Sequence, residues 1–310
     1  MTSFYDSVRR AFPWVIGFQS AVRNARPRPF PGSHLLLGSD YGGNAPKSEY
    51  LTYAFILADA DNSPSYPGVQ RRTRKVFLAD GRRMSFKRLG DRRRREALVP
   101  FLTAAETLSG LCVIVLVHKD LRFVSTTTNT LGAWRGSVDL HAKWTVQAFE
   151  KMARTVHFAT LLVSACCLPS QHLTWITDQD EMVANDDRLT DVMDFASRMM
   201  GLYVSFELGE FAMNDTSSDP GDKSFEDFVA IPDLVAGAFS EVLTMWSQDT
   251  SNHQRRILDL GSLRLTEKAE TIVSWFSEGG LSLARCVILI DKVGPHLFQV
   301  RNLTPMQVTL

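Results

Sequence analysis

Aspartates at three places in this chain are spaced so that they could do chemistry together. Asp40 ends the apolar run of residues 34–43, HLLLGSDYGG; Asp178 and Asp180 follow the run HLTWIT; and Asp233 interrupts the otherwise apolar stretch FVAIPDLVAGAF. Carboxylates gathered at one point repel one another, and the usual compensation is a hard divalent cation, Mg²⁺ or Mn²⁺. Two such ions about 4 Å apart activate a water and stabilise the leaving oxygen in phosphodiester cleavage. The acids therefore point to a nuclease, with Asp40, Asp178 or Asp180, and Asp233 as catalytic residues and metal ligands. Each also has a plainer reading: Asp40 as a cap of the turn at Gly42 and Gly43, Asp178 as a strand-end cap, and Asp233 as a helix-start residue after Pro232.

A second feature is charge segregation. The chain has 34 basic and 34 acidic side chains, a net charge of zero. Residues 71–95 nevertheless hold Arg71, Arg72, Arg74, Lys75, Arg82, Arg83, Lys87, Arg88 and Arg92 to Arg95 against only Asp80 and Asp91. Residues 178–233 are as strongly acidic. A basic face beside an acidic locus suits a polyanion and a metal together, and Lys87, Arg82, Arg83, Arg88 and Arg92 are the expected nucleic-acid contacts, reading phosphates without reading sequence. Two ordinary solvated faces are the alternative. So is trans pairing of the two segments in a homo-oligomer.

The elements that must position these residues alternate between strand and helix. Residues 34–43 and 50–59 read as an antiparallel hairpin, 59–70 as a loop, and 75–86 as a strand pair around Asp80-Gly81. A helix from Asp91 to Ser109, limited by Pro100, precedes the buried strand LCVIVLVHK, the α/β signature. The threonine-rich stretch STTTNTLGAWRGS leads to a long helix from Val138 to Cys167, then strand HLTWIT. Further helices are expected over 186–200, broken at Gly201, over 225–246 and over 265–279, with a final strand pair in RCVILID and HLFQV. This divides the chain into a lead-in of residues 1–33, a central domain of 34–248 and a C-terminal extension of 249–310.

Taken together, LLLGSDYGG, YLTYAFILAD, MSFKRLGD, HLTWITDQDE and IPDLVAGA resemble the ribonuclease-H-like family catalogued as domain of unknown function 3800. The resemblance spans about residues 34–245, and its most specific part is the run from Asp233 to Gly237. It implies an α/β fold, a ribonuclease-H-like mixed sheet flanked by helices with N- and C-terminal additions, and metal-dependent phosphodiester cleavage. Tyr41 stands where that family has a glutamate, Gly42 replaces a serine, and Ser85 occupies the place of a glutamate before Lys87. Glu106 is the candidate to supply the missing acid. The resemblance leaves a second reading open, a non-catalytic scaffold binding nucleic acid or a protein partner, within a bacterial defence or mobile-element complex.

Other chemistries lack their residues. No GxxxxGK[ST], GxSxG, HExxH or GxGxxG pattern is present. Cys112, Cys166, Cys167 and Cys286 lie in apolar runs without metal-ligand spacing and read as reduced core residues. His118 and His141 receive no role. No run of 18 apolar residues occurs, so the expectation is a cytoplasmic protein with no membrane partner.

Overall fold

The computed structural model describes residues 14–26, 28–43, 48–121, 140–246, 257–294 and 297–306. Among the described residues eight strands form one mixed sheet: β1 (His34–Gly42), β2 (Tyr50–Asp59), β3 (Gly110–His118), β4 (His172–Thr177), β5 (Glu210–Asp215), β6 (Ile257–Asp259), β7 (Leu283–Gly294) and β8 (Leu297–Met306). Their order across the sheet is β5-β4-β1-β2-β3-β7-β8-β6. Strands β1, β2 and β3 are an antiparallel meander; β4 adds parallel to β1, and β5 parallel to β4. On the far side β7 runs parallel to β3 and turns back antiparallel into β8, so residues 257–306 extend the same sheet.

Helices cover both faces. On one lie α1 (Val15–Ala25), α4 (Val146–Cys166) and α5 (Asp186–Tyr203); on the other lie α3 (Arg92–Ala105), α6 (Ser224–Trp246) and α7 (Glu267–Glu278), with α2 (Tyr66–Phe77) packed on α3. Strand β3 shows why both faces are apolar: Leu111, Val113, Val115 and Val117 point into one core, and Cys112, Ile114 and Leu116 into the other. All four cysteines are free and buried. Helix α6 is long and apolar enough to cross a membrane, yet 67% of its apolar window is buried inside the fold.

Several expectations are corrected. Residues 66–77 are helical, so the loop expected over 59–70 ends at residue 65 and the strand pair over 75–86 does not form. Pro67 sits in the first turn, where a missing N–H costs nothing, and the buried side chains of this helix are polar: Gln70, Thr73 and Arg74. Helix α4 starts at Val146, eight residues later than expected, because Thr145 caps it by accepting from Ala148 N. The segment ahead of it is held open by Asp191, which accepts from His141 N, Ala142 N and Trp144 Nε1. Gly201 does not end α5, which runs on to Tyr203. Strand β5, Glu210–Asp215, lies in a stretch for which no element was expected. The stretch STTTNTLGAWRGS lies outside the described residues, apart from its surroundings.

One long-range pair ties α2 to α6. Arg74 Nε and Nη2 each donate to Asp227 at 2.6 Å, and Gln70 Nε2 donates to the same carboxylate at 2.6 Å. Both charged side chains are at least nine-tenths buried. Removing one partner strands the other in a low dielectric, so Arg74→Ala is expected to cost about 3–5 kcal/mol in urea unfolding, whereas Arg74→Met combined with Asp227→Leu should cost far less.

Candidate functional site

The site begins with alternation along β1. Leu35, Leu37 and Tyr41 face one core, while Leu36, Gly38, Asp40 and Gly42 face the helix α6 side. The two glycines let the helix come close. A Cβ at Gly38 would lie 2.9 Å from Phe228 Cε1, and one at Gly42 would lie 3.0 Å from Thr52 Oγ1 and 3.9 Å from the Ala236 carbonyl oxygen. Thr52 Oγ1 donates to that carbonyl at 3.3 Å. Asp40, between the glycines, is thereby brought against Asp233 of α6.

Parallel pairing of β1 with β4 brings in the next acid. Ser39 pairs with Thr177, so Asp178 leaves β4 beside Asp40. Its Oδ1 accepts from Arg83 Nη2 at 2.6 Å and from Thr216 Oγ1 at 2.8 Å. Asp180 goes elsewhere: it accepts from Lys151 Nζ at 2.7 Å and from Met182 N at 2.8 Å, and it meets the Tyr41 phenol on the opposite side of β1. Asp178 is thus the member of the pair that joins Asp40 and Asp233.

Desolvation raises the pKa of Asp40 well above the carboxylate range, and the charges of Asp233 and Asp178 raise it further. Asp233 is raised as well, by desolvation first, against the lowering effect of hydrogen bonds from Phe86 N and Ser85. Phe86 N donates to Asp233 Oδ2 at 2.7 Å. The ring of Phe86 lies on Gly237, where a Cβ would come within 2.3 Å of it. Lys268 Nζ closes the clamp, 4.0 Å from the ring centroid and 3.2 Å from the Phe86 carbonyl oxygen. These contacts fix the segment 83–88 over α6.

The basic residues divide into two kinds. Arg82 is paired with Asp80 and Asp91, Arg92 with Glu96, and Arg83 with Asp178 and, at 3.4 Å, with Glu226. The Lys87 and Arg88 side chains are exposed and have no hydrogen bond or ion pair among the described residues, although the Lys87 charge acts on Asp233. A cleft of about 110 Å³ opens here, lined among others by Arg83, Ser85, Arg88, Asp178, Glu226 and Asp233. Asp40 does not line it.

Glu226 and Thr216 were not foreseen. Glu226 sits in the polar start of α6, where acids favour the helix dipole, and only that position marked it. Glu106 is corrected: it pairs with Arg285 near Gly280 and takes no part in the cleft. His141 bonds Asp191 and His118 packs on Tyr50, both away from it.

Hard oxygen donors held together against their own repulsion suit Mg²⁺ or Mn²⁺ in chemistry. In arrangement they do not enclose an ion ready-made: among the described residues no three His, Cys, Asp or Glu side chains are grouped to hold one. Arg83 draws Asp178 toward Thr216 and Glu226 instead. No protein-family model matches the chain, and no curated protein matches it.

Two outcomes are expected. A carboxyl whose folded pKa lies above its unfolded value weakens the fold as pH rises from the ordinary aspartate range through the folded value. Asp40→Asn should therefore raise the melting temperature at pH 7, and the gain should vanish as pH falls below about 4; a lower melting temperature at pH 7 would contradict the crowding of charge. Gly237→Ala should cost about 1–3 kcal/mol by driving a methyl into Phe86. Gly201→Ala, with nothing within 4 Å of the added Cβ, should gain about 0.5–1 kcal/mol in the same unfolding assay.

Proposed function

We propose that this chain is a divalent-metal-dependent nuclease of the ribonuclease-H-like kind, acting on the phosphodiester backbone. The observation that carries this reading is the convergence of Asp40, Asp178 and Asp233 from two strands and a helix at a point where their charges oppose one another. A divalent cation is one way to relieve carboxylates gathered in this way, the other being to keep a proton on one of them. The mixed sheet, with an antiparallel meander extended by two parallel strands, is compatible with the ribonuclease-H-like resemblance.

In this reading Asp40, Asp178 and Asp233 hold Mg²⁺ or Mn²⁺, which supplies an activated water and a counter-charge for the leaving oxygen. The chain's own residues do the rest. Lys87 and Arg88, unpaired at the rim, hold phosphate oxygens and make binding salt-dependent. The clamp of Gly237, Asp233 and Lys268 on Phe86 keeps these two cations next to the carboxylates. Arg83 holds Asp178 in place through Nη2 while its Nε faces Glu226.

A second reading, the non-catalytic scaffold, is favoured by Arg83 itself. Its guanidinium already neutralises Asp178 and approaches Glu226, as a built-in cation would in place of a metal. The two readings separate by titration of Mn²⁺, followed by calorimetry and by melting. A nuclease site should bind Mn²⁺ saturably and gain about 2.7 kcal/mol of stability at a hundredfold excess over Kd. Asp40→Asn and Asp233→Asn should each lose that gain and the cleavage of nucleic acid while remaining folded. A wild-type chain that neither binds Mn²⁺ nor cuts single- or double-stranded nucleic acid in its presence would leave the scaffold.

A further inference from the structure

Away from the carboxylate cleft, the starts of three parallel strands carry a second row of chemistry-bearing side chains. His34 of β1 pairs with His172 of β4, and His172 pairs with Glu210 of β5, so the three stand side by side across the sheet. Asp61, just after β2, closes the row beyond His34. Alternation puts His34 on the face of Leu36 and Asp40, but about 20 Å from Asp40 along the strand, at roughly 3.3 Å per residue. All four side chains are at least 41% exposed, so ions in solution reach them.

The two imidazole rings are nearly parallel, 14° apart with centroids separated by 5.1 Å. Each turns Nδ1 toward a carboxylate. His34 Nδ1 lies 3.2 Å from Asp61 Oδ1 and 2.9 Å from Ser33 Oγ, and that hydroxyl gives its own hydrogen to Asp61 Oδ2 at 2.7 Å. Asp61 is held in place by the amides of Ser33 and His34, which donate to Oδ2 at 2.6 and 3.2 Å. His172 Nδ1 faces Glu210 Oε2 at 3.6 Å. A neutral imidazole with a carboxylate on Nδ1 carries its proton there and keeps a lone pair on Nε2. Neither Nε2 has a hydrogen-bond partner among the described residues. Carboxylates behind two imidazoles whose outer nitrogens are free orient histidines for a metal and strengthen them as donors.

We infer that His34 and His172 bind one borderline transition-metal ion, Zn²⁺ or Cu²⁺, through their Nε2 atoms, with Asp61 and Glu210 supporting them from behind. Imidazole nitrogen suits these ions, whereas Mg²⁺ and Mn²⁺ go to oxygen donors, so this site is chemically separate from the carboxylate cleft. With metal–nitrogen bonds of about 2.0–2.1 Å, the two Nε2 atoms of a tetrahedral site stand about 3.3 Å apart. The exposed rings reach that spacing by tilting their outer edges together. Two imidazoles are the protein's whole ligand set, since among the described residues no three His, Cys, Asp or Glu side chains are grouped to hold an ion, and water fills the other positions. The ion ties β1 to β4 at the end opposite Asp40 and Asp178. The inference goes beyond the nuclease reading and is independent of it.

The test uses the full chain carrying Asp40→Asn and Asp233→Asn, so that the cleft does not compete for metal. Zn²⁺ is titrated by calorimetry, and Cu²⁺ is read by electron paramagnetic resonance. One ion is expected to bind, with couplings from two imidazole nitrogens, and Zn²⁺ should raise the melting temperature. Asp61→Asn keeps both imidazoles and the acceptor for the Ser33 and His34 amides, and it should weaken binding about tenfold. His34→Gln and His172→Gln should each weaken it further, abolish the Zn²⁺ gain in melting temperature and remove one coupled nitrogen. Absence of saturable binding, or either histidine variant binding as tightly as its parent, overturns the site. An unchanged Asp61→Asn overturns it as well, because the metal then meets two surface imidazoles with no supporting carboxylate. Mn²⁺ binding by the chain with Asp40 and Asp233 intact should be the same with and without His34→Gln, so the nuclease reading is judged separately.

Discussion

The close approach of α6 to β1 is the constraint on which the site depends. A helix normally stands off a sheet by the length of the side chains between them. Here Gly38 and Gly42 have none: Phe228 of α6 and Ile56 occupy the space a Gly38 Cβ would take, and a Gly42 Cβ would press on Thr52 Oγ1, which itself bonds the Ala236 carbonyl. The single β1 side chain between the glycines on this face is Asp40. Small residues on the helix complete the fit, since Gly237 leaves room for Phe86 and so for the segment 83–88 that carries Arg83, Lys87 and Arg88. Backbone proximity of this kind cannot be relaxed by a rotamer change, so the carboxylates of β1 and α6 are held together however much they repel.

That repulsion is distributed through a chain of pairings. Asp233 is relieved by the Phe86 amide, Asp178 by Arg83 and Thr216, and Arg83 is in turn oriented by the Arg94 Nε that donates to its carbonyl at 2.8 Å. Asp227, one helical turn before Ile231, is neutralised separately by Arg74. Among the described residues neither Asp40 nor Asp233 has a cationic partner in hydrogen-bond contact, and burial together with the neighbouring acids pushes the pKa of both upward. Much of the basic segment thus serves the protein's own acids, which is why its net charge is a poor guide to how many cations face solvent.

The parts of this arrangement that were legible in the sequence are those with an apolar frame. Asp40 and Asp233 stand out because each breaks a run whose neighbours must be buried, and the strands β1 to β4 and β7 to β8 announce themselves by continuous or alternating apolar residues. Helix α2 was not legible because its buried face is Gln70, Thr73 and Arg74, a face that makes sense only once Asp227 is opposite. Strand β5 was missed for a related reason: at the sheet edge it pairs with β4 alone, and Met213 is its one fully buried residue. The choice between Asp178 and Asp180 depends on how the chain turns after β4, which the strand pattern does not contain. Glu226 and Thr216 approach Arg83 only through tertiary packing.

Arg83 is where the two functional readings meet. A guanidinium is planar, permanently charged and presents its donors as a fork, so it can bridge Asp178 and Glu226 as a metal would, but it cannot activate a water. With Arg83 in this position, Asp178 and Glu226 are compensated while Asp40 and Asp233 are not. For a cation to take Asp40, Asp178 and Asp233 as ligands, Arg83 must release Asp178 and keep Glu226, or swing toward an incoming phosphate. A phosphodiester is the group that would favour such a swing, since its oxygens offer the guanidinium a bidentate partner equivalent to the one it gives up. On the nuclease reading, metal binding and backbone binding at this site would then be linked, each removing what opposes the other.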